Sequence, residues 1–270
     1  MPDLTGYTPE IRTQIYEGEP VLWHGLLIYP VLMRDYELFT ASRISITAMQ
    51  SKLPMPYAAM PYLTALFALS VDGIGTQSVE ASLFQRLILL LSLVLRLQDE
   101  EGETADHFRF KTKAETKRLT ELVVIAQGKI VSITPKDFTQ LRKLIADMNR
   151  IELPNESQNP DLIDAEQDFF EAHQNELEYD FDSLIYSVGL ICGKTMKEMY
   201  SMTVRDFFGY ENASDRLINH IIYSLSEKSG FVKFKGGNPF PSWKFDKRKG
   251  LSPALISKES FEQKFRGVSQ

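Results

Sequence analysis

The sequence predicts a predominantly α-helical α+β protein: a helical bundle with a small antiparallel β element and an extended C-terminal arm. Three observations support this. Apolar residues recur at helical spacing over 62–69 and occupy nearly every side of a helix over 79–97. The period switches to that of strands between 107 and 133. Two Thr-x-x-Glu/Asp sequences, at 195–198 and 203–206, carry the spacing of helix-start capping boxes.

In chain order, residues 21–29 read VLWHGLLIY, two short runs around His24-Gly25 that predict a hairpin closing at Pro30. A helical segment follows within 32–49 and is broken by Pro54 and Pro56. The all-round apolar stretch 87–95 sits between Arg86 and Arg96, far short of the roughly 20 residues a membrane span needs. It reads as a core helix, ended by the acidic turn 99–103. His107 to Phe110 alternates, and the runs 122–126 and 130–133 flank Gln127-Gly128, so a three-stranded element is expected. Thr134-Pro135-Lys136-Asp137 is a helix start with Thr as cap and Pro in the first turn, and Phe138, Leu141, Leu144, Ile145 and Met148 mark its buried face. The boxes at 195 and 203 predict two short helices, and 212–215 is read as opening a third through Leu217, Ile221 and Leu225.

Two prolines among polar turn formers in 153–160 place a domain boundary there, giving a first domain over 1–152, an acidic and capped-helix domain over 161–235, and a basic aromatic arm over 236–270. Charge is sorted along the second half. Residues 151–193 hold eleven Asp and Glu and no Lys or Arg, whereas 231–270 hold nine Lys and Arg against three acids. Such segregation steers association. It predicts that the arm docks on the acidic stretch, within one subunit or between neighbours, with Phe240, Trp243 and Phe245 as apolar anchors.

The sequence argues against several chemistries. GLICGKT at 189–195 falls one residue short of a phosphate-binding loop, since Val188 stands where the first glycine is required, so it reads as a glycine ending one helix and Thr195 capping the next. The acids at 161–171 lack the glycine of a calcium loop, and His173 with Glu176 makes one pair and no metal site. His24, His107, His173 and His220 are scattered outside any catalytic signature, and no cofactor is expected. The single cysteine, Cys192, excludes an internal disulfide and fits a reducing cytosol, and the N-terminus lacks the basic and apolar regions of a signal peptide. Residues 194–230, around the helices at 195–225, hold five bases and five acids, unlike a helix that reads DNA. The arm, where aromatics interleave with Lys244, Lys247, Arg248 and Lys249, suits a nucleic-acid strand better.

Three stretches together resemble a known family: LLIYPVLMRDYELF with QSKLPMPYAAMPYLTALF in 26–67, ITPKDFTQLRKLIADMNRIELPNESQNPDL in 133–162, and TMKEMYSMTVRDFFGY in 195–210. They are similar to tail assembly chaperone-like proteins encoded in the tail-morphogenesis clusters of bacteriophages of Gram-positive hosts. The resemblance implies a non-enzymatic protein of the host cytoplasm that coats the helical tape measure protein and hands it to tail tube subunits. It extends over about half the chain and does not reach the basic arm. Met199, Met202, Phe207 and Phe208 could give such a client an adaptable apolar groove, although residues at helical spacing more often form a core. A permanent component of the tail, baseplate or neck, and a nucleic-acid-binding protein using the arm, are the competing expectations. Self-association is a further one, and no membrane partner is expected.

Overall fold

The computed structural model describes residues 4–73, 79–99, 103–115, 118–156, 180–230, 232–234 and 237–245. Two compact units are present: residues 1–156 with 195–208, and residues 157–194 with 209–270. The sequence reading placed 195–208 in the second domain; in the structure this stretch belongs to the first unit.

The first unit opens with α1, Pro9–Glu17, whose Thr8 side chain accepts from the Ile11 amide and whose end is Gly18 in the left-handed region at φ 71°. Any side chain at Gly18 would also collide with Thr203, whose methyl lies 2.9 Å from the place of a Cβ. Strands β1, Val21–Trp23, and β2, Leu26–Ile28, form the expected hairpin around His24 and Gly25, both at positive φ. Helix α2 covers Tyr36–Thr47, α3 covers Tyr62–Asp72 and α4 covers Val79–Leu95. Leu87, Leu90, Leu91 and Val94 of α4 are fully buried, and α2 and α3 are the helices packed most extensively against it. An aromatic cluster of Phe67, Phe84 and Phe110 extends this core to the sheet, with ring centroids 5.2–5.7 Å apart.

That sheet is antiparallel, with β4 (Leu119–Ala126) between β3 (Phe108–Thr112) and β5 (Lys129–Ile133). Gln127 and Gly128, at φ 55° and 68°, make the two-residue turn that the right-handed strand twist favours. Of β3 only Phe108 is buried, while Phe110, on the same side, packs on Phe67 and Phe84 and stays partly exposed, so the alternation read there corresponds to an edge strand. Helix α5, Pro135–Met148, has the reciprocal Thr134–Asp137 capping box and buries the five residues expected of it. The hydrogen bond from Thr134 holds the Asp137 carboxyl below its ordinary range.

Helix α6 is Phe181–Cys192, α7 is Met196–Ser201 and α8 is Val204–Lys228. Gly193 ends α6 in the left-handed region and Thr195 caps α7, so GLICGKT is the end of one helix and the start of another. The expectation of a separate helix opening at 212–215 is corrected: α8 runs unbroken through Asn212, Ala213, Ser214 and Asp215. Once the Thr203 box has started a helix, each further residue adds a backbone bond, and polar cap formers without a proline do not stop it. Among the described residues no helix is long and apolar enough to cross a membrane.

Residues 195–208 are tied to the first unit by backbone pairing. The Met33 amide donates to the Met202 carbonyl and the Val204 amide to the Val31 carbonyl, each at 2.9 Å. Asn149 completes the joint by accepting from the buried Val31 amide at 2.9 Å and donating to the Ile145 carbonyl.

A second polar joint lies between α2, α3 and α5. The Tyr62 hydroxyl donates toward the Ser45 and Ala48 carbonyls at 2.9 and 3.1 Å, and the Arg142 guanidinium lies 3.9 Å from the Tyr62 ring centroid while donating to the Ile46 and Ala48 carbonyls. Burial pushes the Tyr62 phenol up to about 12, against a partial offset from Arg142.

Two predictions follow from these caps and joints. Thr134→Ala removes the α5 cap and should lower stability by about 1 kcal/mol in denaturant titrations. For Tyr62, the unfolded chain ionises near the ordinary value of about 10 while the folded state holds its proton to about 12. Stability should therefore fall as pH rises through this window, and Tyr62→Phe should make the fall shallower in midpoints measured across it.

Candidate partner-binding surface

The second unit carries the partner-binding candidates of the arm. Residues 209–228 of α8 present two different faces. On one, Tyr223 packs its ring against Phe234 and Phe240, with centroids 5.3 and 5.2 Å away. His220 Nδ1 lies 2.7 Å from the Phe240 carbonyl, which can only accept, so that nitrogen carries the proton. Asn238 donates to Ser224 at 3.4 Å and accepts from the Phe240 amide at 2.8 Å, and Arg216 Nε donates to the Trp243 carbonyl at 3.4 Å. Residues 237–245 thus run without helix or strand along α8, held by polar contacts to its side chains and by one aromatic anchor.

The other face is apolar and open. Leu217, Ile218, Ile221, Ile222 and Leu225 are all exposed, Leu225 to 63%. Their spacing of three and four residues aligns them into one stripe. Helix α6 behaves similarly. Its Asp180 cap, held below the ordinary carboxyl range chiefly by the Ser183 hydroxyl, starts a helix that buries Ile185, Val188 and Gly189. Tyr186, Leu190 and Ile191 stay in water, Leu190 to 84%. A scattered exposed leucine needs no explanation, but a contiguous apolar patch marks a contact surface.

The residues singled out in the sequence divide between the units. Phe240 is half-buried against Tyr223, while Trp243 and Phe245 are exposed to 49% and 73%. Lys244 Nζ stands 5.2 Å from the Trp243 ring centroid. Lys247, Arg248 and Lys249 lie outside the described residues, as do all the acids at 157–179, so the expected docking of arm on acidic stretch involves residues beyond those described. Met199 and Phe207 are completely buried in the first unit, and Met202 and Phe208 are half-buried there. Phe208 packs on Phe207 and Tyr36, at 5.2 and 5.5 Å between centroids. These four side chains serve the interior and its margin.

Sequence reasoning overlooked the α6 and α8 stripes as surfaces. Their signal was present: α6 has more large apolar residues than one buried face requires, and Leu217, Ile221 and Leu225 were read only as helix periodicity. Among the described residues no three His, Cys, Asp or Glu side chains gather as a metal site would need. No match to the chain was found among protein-family models, curated proteins or solved structures.

Tyr223→Ala should release Phe234 and residues 237–245 without unfolding the first unit. The expected signs are faster Trp243 depolarisation and earlier proteolysis after Lys233 or Lys244, with an unchanged thermal transition for the first unit; protection equal to the parent would show that Tyr223 is not the anchor.

Proposed function

We propose that this protein is a non-enzymatic assembly factor of bacteriophage tail morphogenesis, a chaperone or adaptor that holds a helical client in the bacterial cytoplasm. The observation that carries the reading is the display of bare apolar helix faces by the second unit: the α8 stripe from Leu217 to Leu225 and the α6 residues Tyr186, Leu190 and Ile191. An amphipathic client helix buries its own apolar face against such a surface. The resemblance of 26–67, 133–162 and 195–210 to tail assembly chaperone-like proteins supplies the client, the tape measure protein, and the moment of action, before tube polymerisation. Shielding suits this task because a long helical protein with uncovered apolar faces aggregates until it is enclosed.

A second reading draws on the exposed Trp243 and Phe245 beside Lys244. Aromatic faces next to a cation suit stacking on a single nucleic-acid strand. The two readings use different residues and separate under mutation.

Co-expression with the tape measure protein should yield a soluble complex with the full chain. Ile221→Asp combined with Leu190→Asp should weaken capture by about 100-fold, as expected when two well-buried anchors worth about 1.5 kcal/mol or more each are lost. Capture unaffected by these substitutions would overturn the reading. Mass spectrometry of purified particles should find the protein absent, and its presence at fixed stoichiometry would instead identify a structural virion component. Binding of single-stranded DNA with a steep salt dependence, abolished by Trp243→Ala, would favour the nucleic-acid reading.

A further inference from the structure

The apolar stripe on α8 lies where the chain's own C-terminus is heading. Three contacts give residues 237–245 a direction along the helix. Asn238 meets Ser224, Phe240 meets His220 and Tyr223, and the Trp243 carbonyl accepts from Arg216. From 238 to 243 the segment therefore runs antiparallel to α8, toward the end at which Glu211 and Asp215 stand. By helical spacing these two acids border the stripe on its Ile218–Ile222 side. Like charges four residues apart weaken a helix unless a cation answers them.

Phe245 is the last described residue, and residues 246–270 follow it. The first of these, Asp246-Lys247-Arg248-Lys249, carry three bases against one acid, which suits the border formed by Glu211 and Asp215. After Gly250, Ser252 and Pro253 are the cap and first-turn residues of a helix start. Leu251, Ala254, Leu255, Phe261 and Phe265 then fall within about a third of a helix's circumference, an arc that also holds Lys258 and Glu262. A helix over 253–265 spans about 20 Å, enough to cover Leu217 to Leu225, which lie about 12 Å apart. Extended, residues 246–252 reach about 20 Å. That is sufficient to pass round one side of a helix about 10–12 Å across.

We propose that residues 251–265 fold back as an amphipathic helix on the Leu217–Leu225 stripe, parallel to α8, so that the protein covers this face with its own C-terminus. The bases at 247–249 hold the crossing at Glu211 and Asp215. The parallel course also brings Glu262 toward Lys228 at the far end of the stripe. Docking is what makes the segment helical, since isolated helices shorter than about 12–15 residues are marginal in water. Tethered to α8 through a short linker, it competes for the stripe at an effective concentration of about a millimolar. A client helix takes the stripe by outcompeting it. The inference deepens the client reading by naming what covers α8 before a client arrives, and it rests on that reading only for what displaces the segment.

The test is amide exchange of the full chain without client, read by mass spectrometry on peptides from 251–265. Exchange there should be at least tenfold slower than in the denatured chain. Ile221→Asp with Leu225→Asp should return it to within a few-fold of the denatured rate, because each removes an apolar contact worth about tenfold. Both side chains are exposed in the described structure, so the helical circular dichroism of α8 should persist. Glu211→Lys with Asp215→Lys should speed exchange several-fold, and adding Lys247→Glu with Arg248→Glu should restore it, a rescue that an unfolded α8 would not give. Exchange of 251–265 at the denatured rate in the parent, or protection untouched by Ile221→Asp with Leu225→Asp, overturns the proposal. Protection lost on dilution assigns the contact to a second copy and also overturns it. Client capture is measured in a separate experiment, so protection can stand where capture fails and capture where protection fails.

Discussion

The first unit is organised by one constraint: α4 has almost no polar side on which to meet water. Leu87, Leu90, Leu91 and Val94 are fully buried and Leu83, Leu93 and Leu95 nearly so. Burying each such side chain contributes about 1.5–3 kcal/mol, more than any exposed ion pair, at about 0–1 kcal/mol. A helix of this composition is stable in water only when enclosed. Helices α2 and α3 supply two walls and β2 touches a third side, where the Tyr29 amide donates to the Val94 carbonyl at 2.8 Å. Ser92, the polar residue within the buried turns, returns its hydroxyl to the Leu89 carbonyl at 2.7 Å and so leaves no donor stranded.

Enclosing α4 does not by itself complete the unit, because the chain at 31–33 leaves the hairpin with backbone groups that need partners. Two sources provide them. Asn149, just past α5, takes the Val31 amide, and the chain at 202–204 returns to pair with Val31 and Met33. Arg205 reinforces the return by donating to the Asp147 carbonyl at 2.7 Å, and desolvation lowers its own pKa. This pairing explains why Met199 and Phe207 belong to the interior. In the structure these two side chains fill the interior, the reading their helical spacing favoured.

What could be read from sequence follows from the range of the forces involved. The Thr134 and Thr195 caps, the Gln127-Gly128 turn and the buried face of α5 are set by neighbours within a few residues, and each was legible. The fate of 212–215 was not, because Asn and Asp favour a helix start only where no helix is already running through them. The assignment of 195–208 to the first unit depends on pairing with residues more than 160 positions earlier, for which local pattern has no signal. The two exposed stripes were hidden for a different reason. Periodicity reports that Leu217, Ile221 and Leu225 share a side of a helix, and it is silent on whether anything covers that side.

The two units therefore solve the apolar problem in opposite ways. In the first, large side chains are enclosed and orphan backbone groups are met by Asn149, Gln127 and the caps. In the second, α6 and residues 209–228 of α8 each bury part of their apolar surface and leave the rest in water, while the tail segment 237–245 takes the face of α8 that carries His220 and Tyr223. Exposing Leu190, Ile221, Ile222 and Leu225 forgoes stabilisation that burial would give, and no helix-propensity gain from these β-branched and leucine residues offsets it. Lys or Glu at the same positions would serve α6 and α8 as well in helix propensity, so the apolar stripes are not needed for the helices themselves. Its physical consequence is an apolar face available to a second molecule, which is the property an assembly factor for a helical client requires.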